Sequence, residues 1–219
     1  MAGTAPRQGQ TGIDEKTVGW RRLLSHPLVY ETVQYLVGAK RGLRILLERH
    51  IRPVAGQSIL DIGCGPAEIV KFLPDVRYCG VDHSASYIDR ARRAFGDRAT
   101  FHLGDVGDLP LDRLGHFDIA IAIGVLHHIN DQTAQDMLRA ARDALAPNGR
   151  LVTADPCYFP GQNPLTRFII SKDRGQHVRA IDAYLDLVRR VFPDAQRHHI
   201  RGLLPFPHSV CVIEASRDG

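Results

Sequence analysis

The stretch Ser58-Ile59-Leu60-Asp61-Ile62-Gly63-Cys64-Gly65-Pro66-Ala67 decides the fold. A β-rich run from Ser58 to Cys64 passes directly into a glycine turn, and a short helix to about Leu73 follows, so the unit reads strand, turn, helix. Gly63 and Gly65 let the backbone turn sharply and approach a ligand closely, because no Cβ stands in the way. Working outward, further strands are expected at Tyr78–Val81, Thr100–Val106, Phe117–Ile123 and Arg150–Ala154. Helices are expected at Ser84–Phe95 and Asp131–Leu145, with Pro147-Asn148-Gly149 as the turn before the fifth strand. This alternation predicts an α/β fold: a mostly parallel sheet with helices on both faces.

On the amino-terminal side, His26–Arg49 reads as a helix carrying Leu28, Val29, Val33, Leu36 and Val37, interrupted by Gly38 and Gly42. Residues 1–20 are polar and read as a flexible leader without the apolar core of a signal peptide. Beyond Asp155, the residues Pro156, Pro160, Gly161 and Pro164 are expected to rule out regular structure across an insertion at 155–179, which still carries Tyr158, Phe159 and Arg167. Such an insertion at a strand's carboxyl end usually carries function. A helix near Ala180–Phe192 and strands near Arg197–Arg201 and Ser209–Ala215 complete the chain, the last two antiparallel. Residues 21–219 are expected to form one domain.

With 219 residues, 44% hydrophobic and 24% charged, the chain has ordinary globular proportions, which argue against disorder. Its longest apolar run, Ile119–Leu126, is too short to span a bilayer. Cys64, Cys79, Cys157 and Cys211 show neither C-x-x-C pairing nor zinc-ligand spacing and fit a reduced, cytoplasmic setting. The net charge is +4, carried by 24 Arg and four Lys; strings such as Arg90-Ala91-Arg92-Arg93 fall on a predicted helix face and read as solvated surface rather than a nucleic-acid footprint.

In an open parallel sheet, ligands bind beyond the carboxyl ends of the strands where strand order reverses, here after the first strand. Asp82 lies 19 residues beyond Gly63, near the offset at which an acidic residue takes ribose hydroxyls. Dinucleotides and S-adenosylmethionine then compete. The dinucleotide fingerprint requires glycine at position 68, where Glu68 would repel a pyrophosphate. Asp61 would likewise disfavour phosphates but favour ammonium and sulfonium charges.

With these residues in order, Ile51–Ala154 resembles the class I S-adenosylmethionine-dependent methyltransferases of the small-molecule type. Asp61-Ile62-Gly63-Cys64-Gly65 is similar to the family's glycine loop, Asp82 with His83 to its ribose-binding turn, and Gly104-Asp105-Val106 to its adenine-contacting turn. Gly124-Val125-Leu126-His127-His128 resembles the segment that passes the methionine moiety, and the turn before Arg150-Leu151 also matches. The resemblance implies a Rossmann-like sheet of seven strands with an antiparallel last strand. It also implies a helical lid over residues 26–50, through which Tyr30, Gln34 and Arg41 would cover the cofactor; the plain alternative is a helix packed on the sheet edge.

A sulfonium is already activated, so the protein need only align the acceptor, exclude water and remove a proton. Candidates for that proton are His128, His127, His177, Tyr30, Tyr158 and Asp155, with histidine best matched to physiological pH. Only one of His127 and His128 is expected to face the cleft, and a structural role for either stays open. The carboxylates of metal-dependent relatives are missing around Gly124, His127 and His128, so no metal is expected there. Aromatic and prolyl walls with Arg167, Arg174 and Arg179 suit a compact, partly apolar or anionic small-molecule acceptor, with S-adenosylhomocysteine as coproduct. An RNA methyltransferase, a nicotinamide-dependent oxidoreductase and a non-catalytic nucleoside-binding module are the rival readings, and monomer and homodimer both stay open.

Overall fold

Seven strands are present: β1 (Ser58–Ile62), β2 (Arg77–Asp82), β3 (Ala99–Leu103), β4 (Phe117–Ile123), β5 (Leu145–Pro156), β6 (Gln196–Arg201) and β7 (Ser209–Ser216), with the buried runs in β1, β2, β4, β5 and β7. The computed structural model describes residues 39–171, 175–201 and 209–218. The strands form one sheet in the order β3-β2-β1-β4-β5-β7-β6. Strands β1 to β5 pair in parallel, and β7 runs antiparallel to both β5 and β6. The expected seven-stranded, mostly parallel sheet is therefore present, with its order reversing at β1.

Helices α1 (Ala39–Leu46), α2 (Ala85–Phe95), α3 (Leu111–Leu114), α4 (Asp131–Ala144), α5 (Pro164–Ser171) and α6 (Ile181–Arg189) surround it. Two apolar clusters mark the two faces. Ile59, Ile121 and Val212 pack with Leu46, Leu47, Ile51 and the α2 residues Ile88 and Ala91 on one face. Leu60, Ala120 and Ile213 pack with Leu138 and Ala141 of α4 and Tyr184 and Val188 of α6 on the other. Each fully buried aliphatic side chain contributes about 1.5–3 kcal/mol, so adjacent residues of one strand anchor opposite layers. Ser84 Oγ and Asn130 Oδ1 accept from the amides of Tyr87 and Thr133, which fixes where α2 and α4 begin.

Three local expectations change. The insertion after Asp155 is not wholly irregular, because α5 starts at Pro164 with Asn163 Oδ1 accepting from Leu165 N at 2.8 Å. Proline is tolerated at the first helical position, where its missing N–H has no partner to lose. The Pro147-Asn148-Gly149 turn does not precede β5 but bulges from within it: Phe117 pairs with Leu145 and Ile119 with Arg150. The same irregularity sends Phe117 and Ile119 to opposite faces although they are two apart. The helix after the glycine turn is a 3-10 segment at Glu68–Phe72.

Of the expected 26–50 helix, Ala39–Leu46 is helical and continues as a π-turn at Leu47–Ile51, and Leu46, Leu47 and Ile51 pack on the sheet. The leader, Tyr30, Gln34 and Arg174 lie outside the described residues. Among the described residues no helix is long and apolar enough to cross a membrane. Phe117 is fully buried where the β4 irregularity begins, so Phe117→Ala should cost about 3–5 kcal/mol in urea unfolding. A loss under 1 kcal/mol would contradict this packing.

Candidate functional site

The carboxyl ends of β1 and β2 are joined through the glycine turn. The amides of Gly63 and Cys64 both donate to Val81 O, at 2.8 and 3.1 Å. Gly63 adopts φ +70°, and a Cβ there would stand 2.6 Å from Val125 Cγ2, so this position requires glycine for conformation and for space. Asp82, half-buried at the end of β2, accepts from Gly65 N through Oδ2 and from Ser84 N through Oδ1, each at 2.8 Å. Its carboxylate is thus aimed by two backbone donors before any ligand arrives. Leu103 pairs in register with Asp82 and is 54% exposed, placing an apolar side chain beside that carboxylate.

Asp61 is buried and accepts from Tyr78 Oη at 2.6 Å. Burial lifts its pKa from 3.8 to about 7, against the lowering effect of the Tyr78 bond and with the nearby Asp82 charge adding to the rise. A cationic ligand would return it to the ionised state. Cys64 packs against Gly80, where a Cβ would meet Sγ at 2.7 Å, and burial raises its thiol pKa. Its side chain is packing, which leaves its backbone for a ligand. Asp105 and His83 pair at 2.8 Å on the surface, while the Val106 side chain is buried in the core. Glu68 pairs with Lys71, and Arg90 lies 3.7 Å away, so much of the repulsion expected for a pyrophosphate is offset within the protein.

Beyond β4 and β5 four of the expected residues gather. Asp155 Oδ1 accepts from His127 N at 3.1 Å and lies 2.8 Å from His127 Nδ1, with both side chains buried. Asp155 Oδ2 is buried and has no hydrogen-bond partner among the described residues. His128 is exposed and stacks 3.9 Å from His127, and His177 N donates to His127 O at 2.9 Å. Gly175 lies so close to His127 that a Cβ would stand 2.1 Å from Cδ2. Gly124, at φ +70°, faces His127 Cε1. Arg41 is exposed on α1, and no described contact brings it to this cluster.

Arg179, first read as an acceptor-binding cation, is instead a clamp. Its guanidinium donates to Leu126 O, Ile129 O, His177 O and Asp131 Oδ1, tying the insertion to the loop after β4. Sequence reading missed this role. The only signal was an arginine just before a helix, which does not specify its partners.

A family described as methyltransferase domain matches residues 59–149, which span β1 to the bulge of β5. That match covers less than half of this chain. The chain is 36% identical over 114 residues to the 27-O-demethylrifamycin SV methyltransferase of Amycolatopsis mediterranei, covering 48% of this chain and 41% of that protein. It is 32% identical over 112 residues to a tRNA U34 carboxymethyltransferase of Shewanella denitrificans, covering 48% and 33%. The chain thus spans less than half the length of these relatives. The apo structure of the S-adenosylmethionine-dependent methyltransferase SibL superposes with a TM-score of 0.69 at 20% identity, over 90% of this chain and 61% of that one. The described residues share the seven-stranded fold of that methyltransferase.

Asp61 gives the chain a pH signature. An acid whose pKa is raised by folding binds its proton more tightly when folded, so its contribution is full below about pH 4 and is lost as pH rises to about 7. In Asp61→Asn this loss should vanish, improving stability relative to wild type by up to about 4 kcal/mol between pH 4 and 7. Urea unfolding of the ligand-free proteins measures it. Parallel pH curves would show that Asp61 is already ionised without a cation.

Proposed function

We propose that this chain binds S-adenosylmethionine at the β1–β2 turn and transfers its methyl group to a hydroxyl of a small-molecule metabolite, with His127 taking the proton. The aimed Asp82 carboxylate beside the Gly63–Gly65 turn carries the cofactor reading. Its two oxygens each keep a lone pair for a ribose hydroxyl. Leu103 offers an apolar surface to the base, and Asp61 offers a carboxyl that an aminoacyl ammonium would hold ionised. Asp105 would take the adenine amine by exchanging its surface bond to His83. The fold permits a dinucleotide as well, but the two acids at the turn favour the cationic ligand.

S-adenosylmethionine supplies a methyl group on a positively charged sulfur, which keeps the electron pair of the broken C–S bond as the acceptor oxygen takes the methyl. The protein's task is positional and protonic. Asp155 Oδ1 lies 2.8 Å from Nδ1 of His127 and would accept from it, the tautomer that makes Nε2 the basic nitrogen for the acceptor's hydroxyl proton. The Asp155 charge then stabilises the imidazolium. His177 and Gly175 hold the histidine from the insertion side, and Arg179 fastens that strap. The rifamycin relative's name supports an oxygen acceptor, while the tRNA relative supports RNA as the second reading.

Methyl transfer from isotope-labelled S-adenosylmethionine into host extract, followed by fractionation, tests the acceptor class. Label in small molecules is expected; salt-sensitive label in RNA would move the acceptor to the second reading. With an acceptor in hand, His127→Gln should lower kcat by about 10²–10⁴ with cofactor affinity retained. Asp155→Asn should lower kcat and shift the acidic limb of its pH profile to lower pH, because the imidazolium loses its stabilising carboxylate. Unchanged kcat in both would remove the dyad from the reaction.

A further inference from the structure

One face of the sheet carries three metal-type donors that methyl transfer does not use. His50 lies in the π-turn after α1, His198 on β6 and Glu214 on β7. Glu214 pairs in register with Val152 and His198 with Val212, on the face that packs against α1 and α2. Asp155 pairs with Cys211, which belongs to the other face, so the two sites lie on opposite faces of the sheet.

His50 Nδ1 stands 2.7 Å from Glu214 Oε1, and His198 Nε2 stands 3.5 Å from the same oxygen. One ligand atom from each residue lies within 4.8 Å of the other two. His50 is buried and the other two are half-buried. Glu214 Oε2 takes Arg52 Nη2 at 2.6 Å, so the carboxylate already has a cationic partner. Two imidazole nitrogens still converge on its other oxygen. Each neutral imidazole can donate to that oxygen in one tautomer and can turn the same nitrogen's lone pair to a shared cation in the other, so the cluster is a donor set that a cation can use without protonating either ring.

We propose that His50, His198 and Glu214 form a zinc site, with solvent completing a tetrahedron. Nitrogen and oxygen ligands at about 2.0–2.1 Å from zinc stand about 3.3 Å apart in that geometry. The 3.5 Å edge already fits, the 2.7 Å edge opens by about half an ångström, and the third edge, no longer than 4.8 Å, closes. Arg52 is the outer contact that turns Oε1 toward the imidazoles. Its charge, with that of Arg150 behind it, holds the affinity below that of a four-ligand protein site. The ion would join the turn before β1 to the β6–β7 edge, a structural role separate from the reaction.

Equilibrium dialysis of the untagged full chain against zinc chloride, followed by metal analysis, tests this directly. One zinc per chain is expected, with affinity at least about tenfold weaker in His198→Ala and in Glu214→Gln. His198 sits half-exposed on the edge strand, so its truncation leaves the fold intact. Saturating zinc should raise the wild-type Tm by about 5 °C and leave the His198→Ala Tm unchanged. Absence of stoichiometric zinc in wild type, or wild-type affinity in both variants, would overturn the assignment.

Discussion

Val125 occupies the space that a Cβ on residue 63 would need, and that contact closes the loop after β4 onto the loop after β1. With Gly63 in place, its amide and that of Cys64 reach Val81 O, and the turn continues so that Gly65 N meets Asp82. A larger residue at 63 would displace Val125 and disconnect these bonds in sequence. The same β4 loop then carries Leu126 to His128, so the turn that aims Asp82 and the histidine pair rest on one loop.

Charge is distributed to match a cation. Asp61 sits near neutrality when alone because burial outweighs its Tyr78 bond. Ligand binding would complete its ionisation, so part of the desolvation penalty is held ready for a positively charged guest. On the acceptor side the arrangement is stiffer. Arg179 ties the insertion to Leu126, Ile129 and Asp131, and the backbone of His177 holds His127 from the same segment. The insertion and the loop that carries His127 are thereby joined through one guanidinium.

The sheet was legible in the sequence because the central parallel strands β1, β2 and β4 bury consecutive residues and their connections cross through helical segments. Asp82 and Gly63 were legible for a related reason: the offset between them is the length of one strand–helix–strand passage. The pairing of Asp155 with His127, rather than with the more exposed His128, depends on strand register and cannot be read from either segment alone. The α5 helix was hidden because Pro164 was taken as a breaker when Asn163 made it a helix start. Glu68 was correctly singled out as a non-glycine, but its repulsive effect was overstated because Lys71 and Arg90 converge on it only in three dimensions.

The central claim is that the turn holds a cationic adenosyl ligand through Asp82. Calorimetric titration of wild type and Asp82→Ala with S-adenosylmethionine, and with a nicotinamide dinucleotide as comparison, tests it most directly. One-to-one binding of S-adenosylmethionine, weakened by about 1.5–3 kcal/mol in the variant, with no heat from the dinucleotide, is the expected result. Dinucleotide binding at the same stoichiometry, or an affinity for S-adenosylmethionine untouched by the loss of Asp82, would contradict it.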